Sequence, residues 1–338
     1  MPYESFRTAY CVLPTVALGY ASGFYNVGMT VSIPSIEETD QLHRAIAPSQ
    51  AAYELIHTHC LIVADITSRL VRRQNALFSR RCTLPTDAPE LTGHYDLPAL
   101  LGDTGTGVPS AGGFSDSAET VGSVGLTDFS DAAGPAGSSN PDSHMPQSAP
   151  VPGSARAHIT APVVPPTDGV TGGIVPPRLL GEHEAVIGAL LHDIGTYLVL
   201  KADGSDGGPL EFDGSNYILH GLRGYRYLLD QGVDESIAQF ARNHTGVGLT
   251  AEQVKAQDLP LPVDDYVPMN LEQEVVMVAD KYNSKSTPPK FLTAAAYAAK
   301  AARFGESNRR NWLDLLVKYG VPDIPSMARH YQQRLVEE

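Results

Sequence analysis

The chain has 338 residues, 42% hydrophobic and 18% charged, with a formal net charge of -14 at pH 7. That length holds one large domain or two ordinary ones, and the acidic balance excludes a general nucleic-acid binder, so no polymeric nucleic acid is expected as a partner although single nucleotides remain admissible substrates. Cys11, Cys60 and Cys82 are too few and too unevenly spaced for a disulfide framework or a thiolate zinc site, which leaves nitrogen and oxygen ligands for any metal and a reducing, cytoplasmic setting as the expectation.

Residues 1–34 read as a loosely ordered extension. Their apolar run from Tyr10 to Val31 is broken by Pro14, Gly19, Gly23 and Asn26, well short of a spanning helix, and Arg7 behind Glu4 is a poor start for a secretory signal. No membrane association is expected. Ser35 with Glu38 three positions on forms a capping-box pattern that opens a helix ending near Ala47-Pro48. A longer helix is predicted from about Ser49 to Phe78, where Ala52, Ile56, His59, Val63, Ile66 and Leu70 recur at steps of four and three on one stripe.

From about Thr83 to Pro177 the chain lacks Lys and carries more than half of the 26 prolines. Such a stretch buries too little apolar area to offset the entropy of ordering, and it reads as a disordered insertion. Helical patterns resume with Glu182 to about Lys201, followed by a turn-rich loop from Ala202 to Ser215. Further helices are predicted at Tyr217–Asp230, Asp234–Asn243, Asn270–Lys285, Thr293–Phe304, Ser307–Lys318 and Ile324–Val336, with a short one opened by the Thr250/Gln253 capping box. No stretch alternates like a strand for more than a few residues, so the fold class is all-α. The resulting divisions are 1–34, a first helical part at 35–82, the insertion at 83–177, a second helical part at 178–320, and a C-terminal helix at 321–338.

His192 and Asp193 stand side by side in the apolar run Ala189-Leu190-Leu191-His192-Asp193-Ile194-Gly195. A carboxylate buried there without a partner costs several kcal/mol or takes up a proton, so the doublet needs company. Candidates on other helical segments are His59, His220, His244 and Asp280, all donors suited to Mn, Fe, Mg, Ni or Zn. His57 competes with His59, but two positions is about 200° of helix rotation, and only His59 belongs to the apolar stripe. His43, His57, His183 and His330 read as ordinary core or surface histidines. Gly246-Val247-Gly248 lacks a preceding strand and reads as a helix stop.

The order His59, His192-Asp193, His220, His244, Asp280 resembles the HD-domain superfamily of metal-dependent phosphohydrolases, and Leu191-His192-Asp193-Ile194-Gly195 resembles its HDIG subgroup. His244-Thr245-Gly246-Val247-Gly248-Leu249, Leu259-Pro260-Leu261-Pro262 and Ala279-Asp280-Lys281 further resemble uncharacterised bacterial HDIG proteins. The resemblance covers about residues 35–80 and 180–320. It implies an HD-domain helical bundle in which His59, His192, Asp193 and Asp280 hold one divalent ion, while His220 and His244 complete a second site with Asp193 bridging. It also implies hydrolysis of a phosphate ester, from a nucleotide or small phosphorylated metabolite, by metal-activated water. Two ions a few ångströms apart can activate the water and stabilise the leaving oxygen, so no side-chain nucleophile is needed. Lys281, Arg223 and Lys285 lie near the ligands in sequence as candidate phosphate contacts, with Asp193, Lys281 and Arg223 as the candidate catalytic residues. Many HDIG proteins carry Lys directly after the Gly, where Thr196 stands here, and family members have a short connection where this chain has its long insertion. A di-iron oxygenase of the same superfamily and a non-catalytic nucleotide- or partner-binding module are the alternatives.

Overall fold

The structure, a computed structural model, describes residues 31–85 and 164–337. The chain before Val31 and the bulk of the expected insertion lie outside these residues. Among the described residues the fold is helical with a few short strands, and no helix is long and apolar enough to cross a membrane.

Helix α1 spans Ile36–Ile46 and begins with the capping box: Ser35 Oγ accepts from the Glu38 amide, and the Glu38 carboxylate accepts from the Ser35 amide. Helix α2, Gln50–Cys82, is capped by Ser49 and runs through the centre of the molecule. Its expected stripe is buried, with Ala52, Ile56, Val63, Ile66 and Leu70 fully enclosed. Burial extends round to Cys60, Ile62 and Ala64, because further helices pack on more than one side of it. Each such aliphatic side chain contributes roughly 1.5–3 kcal/mol relative to exposure.

Residues 164–177, expected to lack structure with the insertion, are folded. Strand β1, Val170–Thr171, pairs antiparallel with Val321–Pro322, which is β6 in chain order. The buried Arg73 guanidinium of α2 donates to the carbonyls of Val164, Pro165 and Gly172. A charged group buried at this depth needs that hydrogen bonding, and meeting the need fixes the returning chain. Composition misled because the anchor for this segment lies far away in sequence.

Helix α3 covers Glu182–Leu191 and stops there, ten residues short of the expected end. Asp193 adopts φ -109°, ψ 12°, and a 3-10 turn follows at Ile194–Val199 before β2, Leu200–Ala202, which pairs with β3, Glu211–Phe212. Helices α4, His220–Asp230, and α5, Glu235–Arg242, are followed by the short α6, Ala251–Ala256, with its Thr250/Gln253 capping box. Helix α7, Leu271–Asp280, ends before the expected Lys285; the chain turns into β4, Asn283–Ser284, and β5, Lys290–Leu292. Helices α8, Ala294–Ala302, and α9, Glu306–Tyr319, then lead through β6 to α10, Ile324–His330. The expected C-terminal helix to Val336 is thus cut at His330. Gln332 takes φ +55°, and Arg334–Val336 becomes β7, parallel to β5, whose free edge accepts it.

His43 ties α1 to this core. Its Nε2–H donates to the Leu190 carbonyl at 2.7 Å, and its Nδ1 lies 3.0 Å from the Tyr197 hydroxyl, contacts that the neutral ring satisfies by accepting from the hydroxyl. Burial pushes its pKa from 6.5 down to about 3. The unfolded chain then binds a proton that the native ring refuses, so the stability from His43 is complete above about pH 6.5 and is lost as pH falls towards 3. Melting curves from pH 7 to 4 should show this loss, and His43→Gln should make it shallower, the remainder coming from His57 and His220, which burial also lowers; equal slopes for the two proteins would refute the assignment. Gly195 offers a second check. A Cβ there would lie 2.7 Å from the Cα of Gly224, and closer still to the Gly224 amide and the His220 carbonyl. Gly195→Ala should cost about 3 kcal/mol in denaturant unfolding, the upper end for overpacking. Gly214→Ala, with nothing within 4 Å, should stay within about 0.5 kcal/mol.

Candidate metal centre

Five of the six candidate residues sit at helix ends. His192 caps the end of α3, His220 opens α4, His244 follows α5 and Asp280 closes α7. Asp193 lies in the break between α3 and the 3-10 turn, and His59 alone lies mid-helix. The break has a geometric consequence. Neighbours on a continuous helix diverge by about 100°, whereas here His192 Nε2 and Asp193 Oδ2 approach to 3.6 Å.

All six side chains come together in two groups that share Asp193. His59, His192, Asp193 and Asp280 present ligand atoms within 4.8 Å of one another, as do Asp193, His220 and His244. The two oxygens of Asp193 divide between them. Oδ2 lies 3.1 Å from His59 Nε2, while Oδ1 lies 3.5 Å from both His220 Nε2 and His244 Nε2. Asp280 Oδ1 lies 3.1 Å from His59 Nε2 and 3.4 Å from His192 Nε2. His57, which competed with His59 in the sequence, instead stacks on Tyr53 and faces Asp40 at 3.6 Å.

The outer nitrogens fix how these rings face. Nδ1 of His192, His220 and His244 lies 2.6–2.8 Å from the carbonyl of the residue three positions earlier, Ala189, Tyr217 and Ala241. Nδ1 of His59 lies 2.9 Å from Asn283 Oδ1, an oxygen set by the donation of Asn283 Nδ2 to Gln333. Oxygens of these kinds only accept, so each Nδ1 carries a proton and each ring turns its Nε2 inward, where a neutral ring offers a lone pair. His192 Nε2 is fully buried without a hydrogen-bond partner, and His220 Nε2 and His244 Nε2 stand 3.0 Å apart. Lone pairs crowded in this way are met by a cation between them. The residues present therefore fit a divalent metal, as nitrogen and oxygen donors with hydrogen bonds already orienting them.

Electrostatics agree with a cation site. Burial alone would raise Asp193, but the Lys285 ammonium and the surrounding imidazoles hold it well below the usual carboxylate range. Burial likewise opposes ionisation of Asp280, which Lys281 and two imidazoles keep charged. His220 is pushed down by burial to about 3 and is a neutral ligand at ordinary pH.

Of the cations named from sequence, Lys281 donates to Asp280 Oδ2 at 2.7 Å and to the His244 carbonyl at 2.9 Å, so it steadies a ligand. Lys285 lies against Asp193 Oδ2 and 3.4 Å from His59 Nε2, inside the cluster. Arg223 is not brought to it: its guanidinium donates to the carbonyl of the exposed Leu198. Sequence reasoning missed Asn283 behind His59 and read Thr196 only as a lost lysine. The buried Thr196 hydroxyl donates to Asp193 Oδ1 at 2.9 Å, a link that its spacing of three from Asp193 could have suggested. Thr196→Val should keep the fold and weaken metal binding by about 10- to 100-fold, measured by chelator competition; undiminished affinity would show the hydroxyl to be incidental.

Residues 178–284 match the HD domain model. The match includes every candidate ligand except His59, which α2 supplies from before the insertion. Two tRNA (cytidine(56)-2'-O)-methyltransferases, from Picrophilus torridus and Thermoplasma volcanium, are 38% and 33% identical over 93 residues, which is 28% of this chain and 22% of each relative. An uncharacterised protein of Methanocaldococcus jannaschii is 36% identical over 94 residues, 45% of its length. The chain thus spans less than half of each of these relatives, and no solved structure matches it. Residues 178–284, which bring the convergent histidines and carboxylates of α3, α4, α5 and α7 together, are thus similar to the HD domain.

Proposed function

We propose that this protein hydrolyses a phosphate ester of a small phosphorylated compound, with two divalent ions, Mn, Fe, Ni, Mg or Zn, held by the six clustered residues. The observation that carries the reading is the set of inward-facing Nε2 atoms around a carboxylate whose two oxygens face different groups. We assign His59, His192, Asp193 and Asp280 to one ion, and His220 and His244 to the second, with Asp193 shared. Such a pair of ions, when bound, supplies Lewis acidity and a water acidic enough to attack phosphorus near neutral pH.

The chain's own groups prepare the rest. Thr196 orients Asp193, Asn283 orients His59, and Lys281 holds Asp280 through its outer oxygen. Lys285, whose ammonium is held above its ordinary value by Asp193, Tyr217 and Asp280 against the effect of burial, is placed to meet a phosphoryl oxygen. It takes the part that Thr196 cannot. Arg223, turned to Leu198, has no part in this arrangement. The methyl transfer in the relatives' names is not carried over, because the likeness covers 22% of those proteins.

Metal analysis of the purified protein should find about two equivalents of a divalent transition metal. Asp193→Ala should lose both the metal and the release of phosphate from p-nitrophenyl phosphate, scored beside nucleotides, sugar phosphates and tRNA with Mn, Fe, Ni and Mg. A folded protein that takes up no metal would sink the reading. Oxygen consumption without phosphate release would move the assignment to the oxygenases.

A further inference from the structure

A cavity of about 320 Å³ borders His59, between α2 and the end of the β4-β5-β7 sheet. Glu54, Leu55 and Thr58 line it from one face of α2, because positions three and four apart on a helix are neighbours. Asn283 of β4, Pro289 before β5 and Gln333 before β7 make the opposite wall. Asn283 is the residue that holds His59 Nδ1, so the cavity lies on the outer side of that ring, while Nε2 faces Asp193 and Asp280. Of the six candidate ligands, His59 alone lines it. A molecule bound here sits beside the metal centre, not on it.

Three of the lining groups have hydrogen-bonding capacity left over. Glu54 accepts from Gln50 through Oε1, which leaves Oε2. The half-buried Thr58 hydroxyl makes no hydrogen bond among the described residues. Gln333 Oε1 is taken by Asn283, and its Nε2 donates to no described residue. Their needs differ: Glu54 Oε2 requires a donor, Gln333 Nε2 requires an acceptor, and the Thr58 hydroxyl serves as either. A hydroxyl group is donor and acceptor at once, so a ligand carrying several answers all three. An anion would be repelled by Glu54, an ammonium offers Gln333 no acceptor, and an apolar ligand would leave all three groups unpaired. Leu55 and Pro289 add apolar surface of the kind that receives the C–H face of a sugar ring. The volume stands at the small end for ligand pockets, room for a single ring.

The geometry points to a binding site for one uncharged sugar ring, hydrogen-bonded by Glu54, Thr58 and Gln333. The sugar arrives either free or as the alcohol part of the phosphate ester. The second source rests on the phosphohydrolase reading; the first does not.

Saturation-transfer NMR on the metal-loaded protein tests the site with glucose and galactose beside glucuronate and galacturonate, the same rings carrying a carboxylate. At least one of the two sugars should bind with millimolar affinity, and its uronate about tenfold more weakly. Thr58→Val should weaken the sugar about tenfold, and Glu54→Ala should bring sugar and uronate close together. Metal content should stay at the parent's value in both variants, which damage to the centre would change. Glu54 is exposed, so Glu54→Ala carries the test alone should Thr58→Val fold poorly. Absence of sugar binding, or a preference for sugar over uronate that Glu54→Ala leaves unchanged, overturns the site. The 6-phosphate of the bound sugar separates the two sources. A KM raised for it in Glu54→Ala, with the KM for p-nitrophenyl phosphate unmoved, assigns the ring to the substrate; no change in either assigns it to a free sugar. Sugar binding without turnover of any ester would refute hydrolysis and retain the site. Turnover without sugar binding would do the reverse.

Discussion

The structure depends on how one buried carboxylate is accommodated. Asp193 is fully enclosed, and a charge in that position is tolerable only if every oxygen has a partner. One oxygen faces His59 and Lys285, and the other faces His220, His244 and the Thr196 hydroxyl. To reach both sets, α3 must end at Leu191 and the chain must tighten into the 3-10 turn. The turn in turn presses Gly195 against the backbone of α4, where any side chain would collide. The Ile194-Gly195 pair after the doublet therefore has a mechanical reason: it lets the start of α4 bring His220 to the carboxylate.

Helix termini supply the rest of the field. The C-terminal ends of α3, α5 and α7 all reach the centre, carrying His192, His244 and Asp280 there or just beyond. Carbonyl groups at a helix end carry a partial negative charge, which favours cations within the last turn. The same carbonyls hold the imidazoles: Ala189 and Ala241 accept from His192 and His244. Backbone geometry thus contributes twice, orienting the rings and tilting the local potential.

Much of this was legible before any coordinates. The capping boxes at Ser35 and Thr250 and the stripe on α2 are local signals, and they correspond to elements observed. The six polar residues in apolar helical surroundings stood out because such placements are costly, and the fold brings them together. Helix ends near the site were overrun, since His192, Asp193 and Lys281 do not stop a helix by propensity; tertiary contacts stop it. The strand at Arg334–Val336 depends on a β5 edge contributed from elsewhere, and residues 164–177 depend on Arg73, neither of which a local window contains. Arg223 was placed near the ligands by sequence proximity, a measure that ignores which way a helical side chain turns.

Arg73 has a wider implication for how this chain is put together. Its guanidinium holds the carbonyls of Val164 and Pro165 against the helix that carries His59. Gln74 donates to the carbonyl of Lys318, and Asn75 exchanges two hydrogen bonds with Leu180, so the first half is bound to the second by its own side chains. These contacts add to the covalent link between residues 85 and 164 in holding His59 in register, and the entropic cost of lengthening that link grows only logarithmically. His59 thus reaches the candidate metal centre on a helix whose own side chains clasp the second half of the molecule.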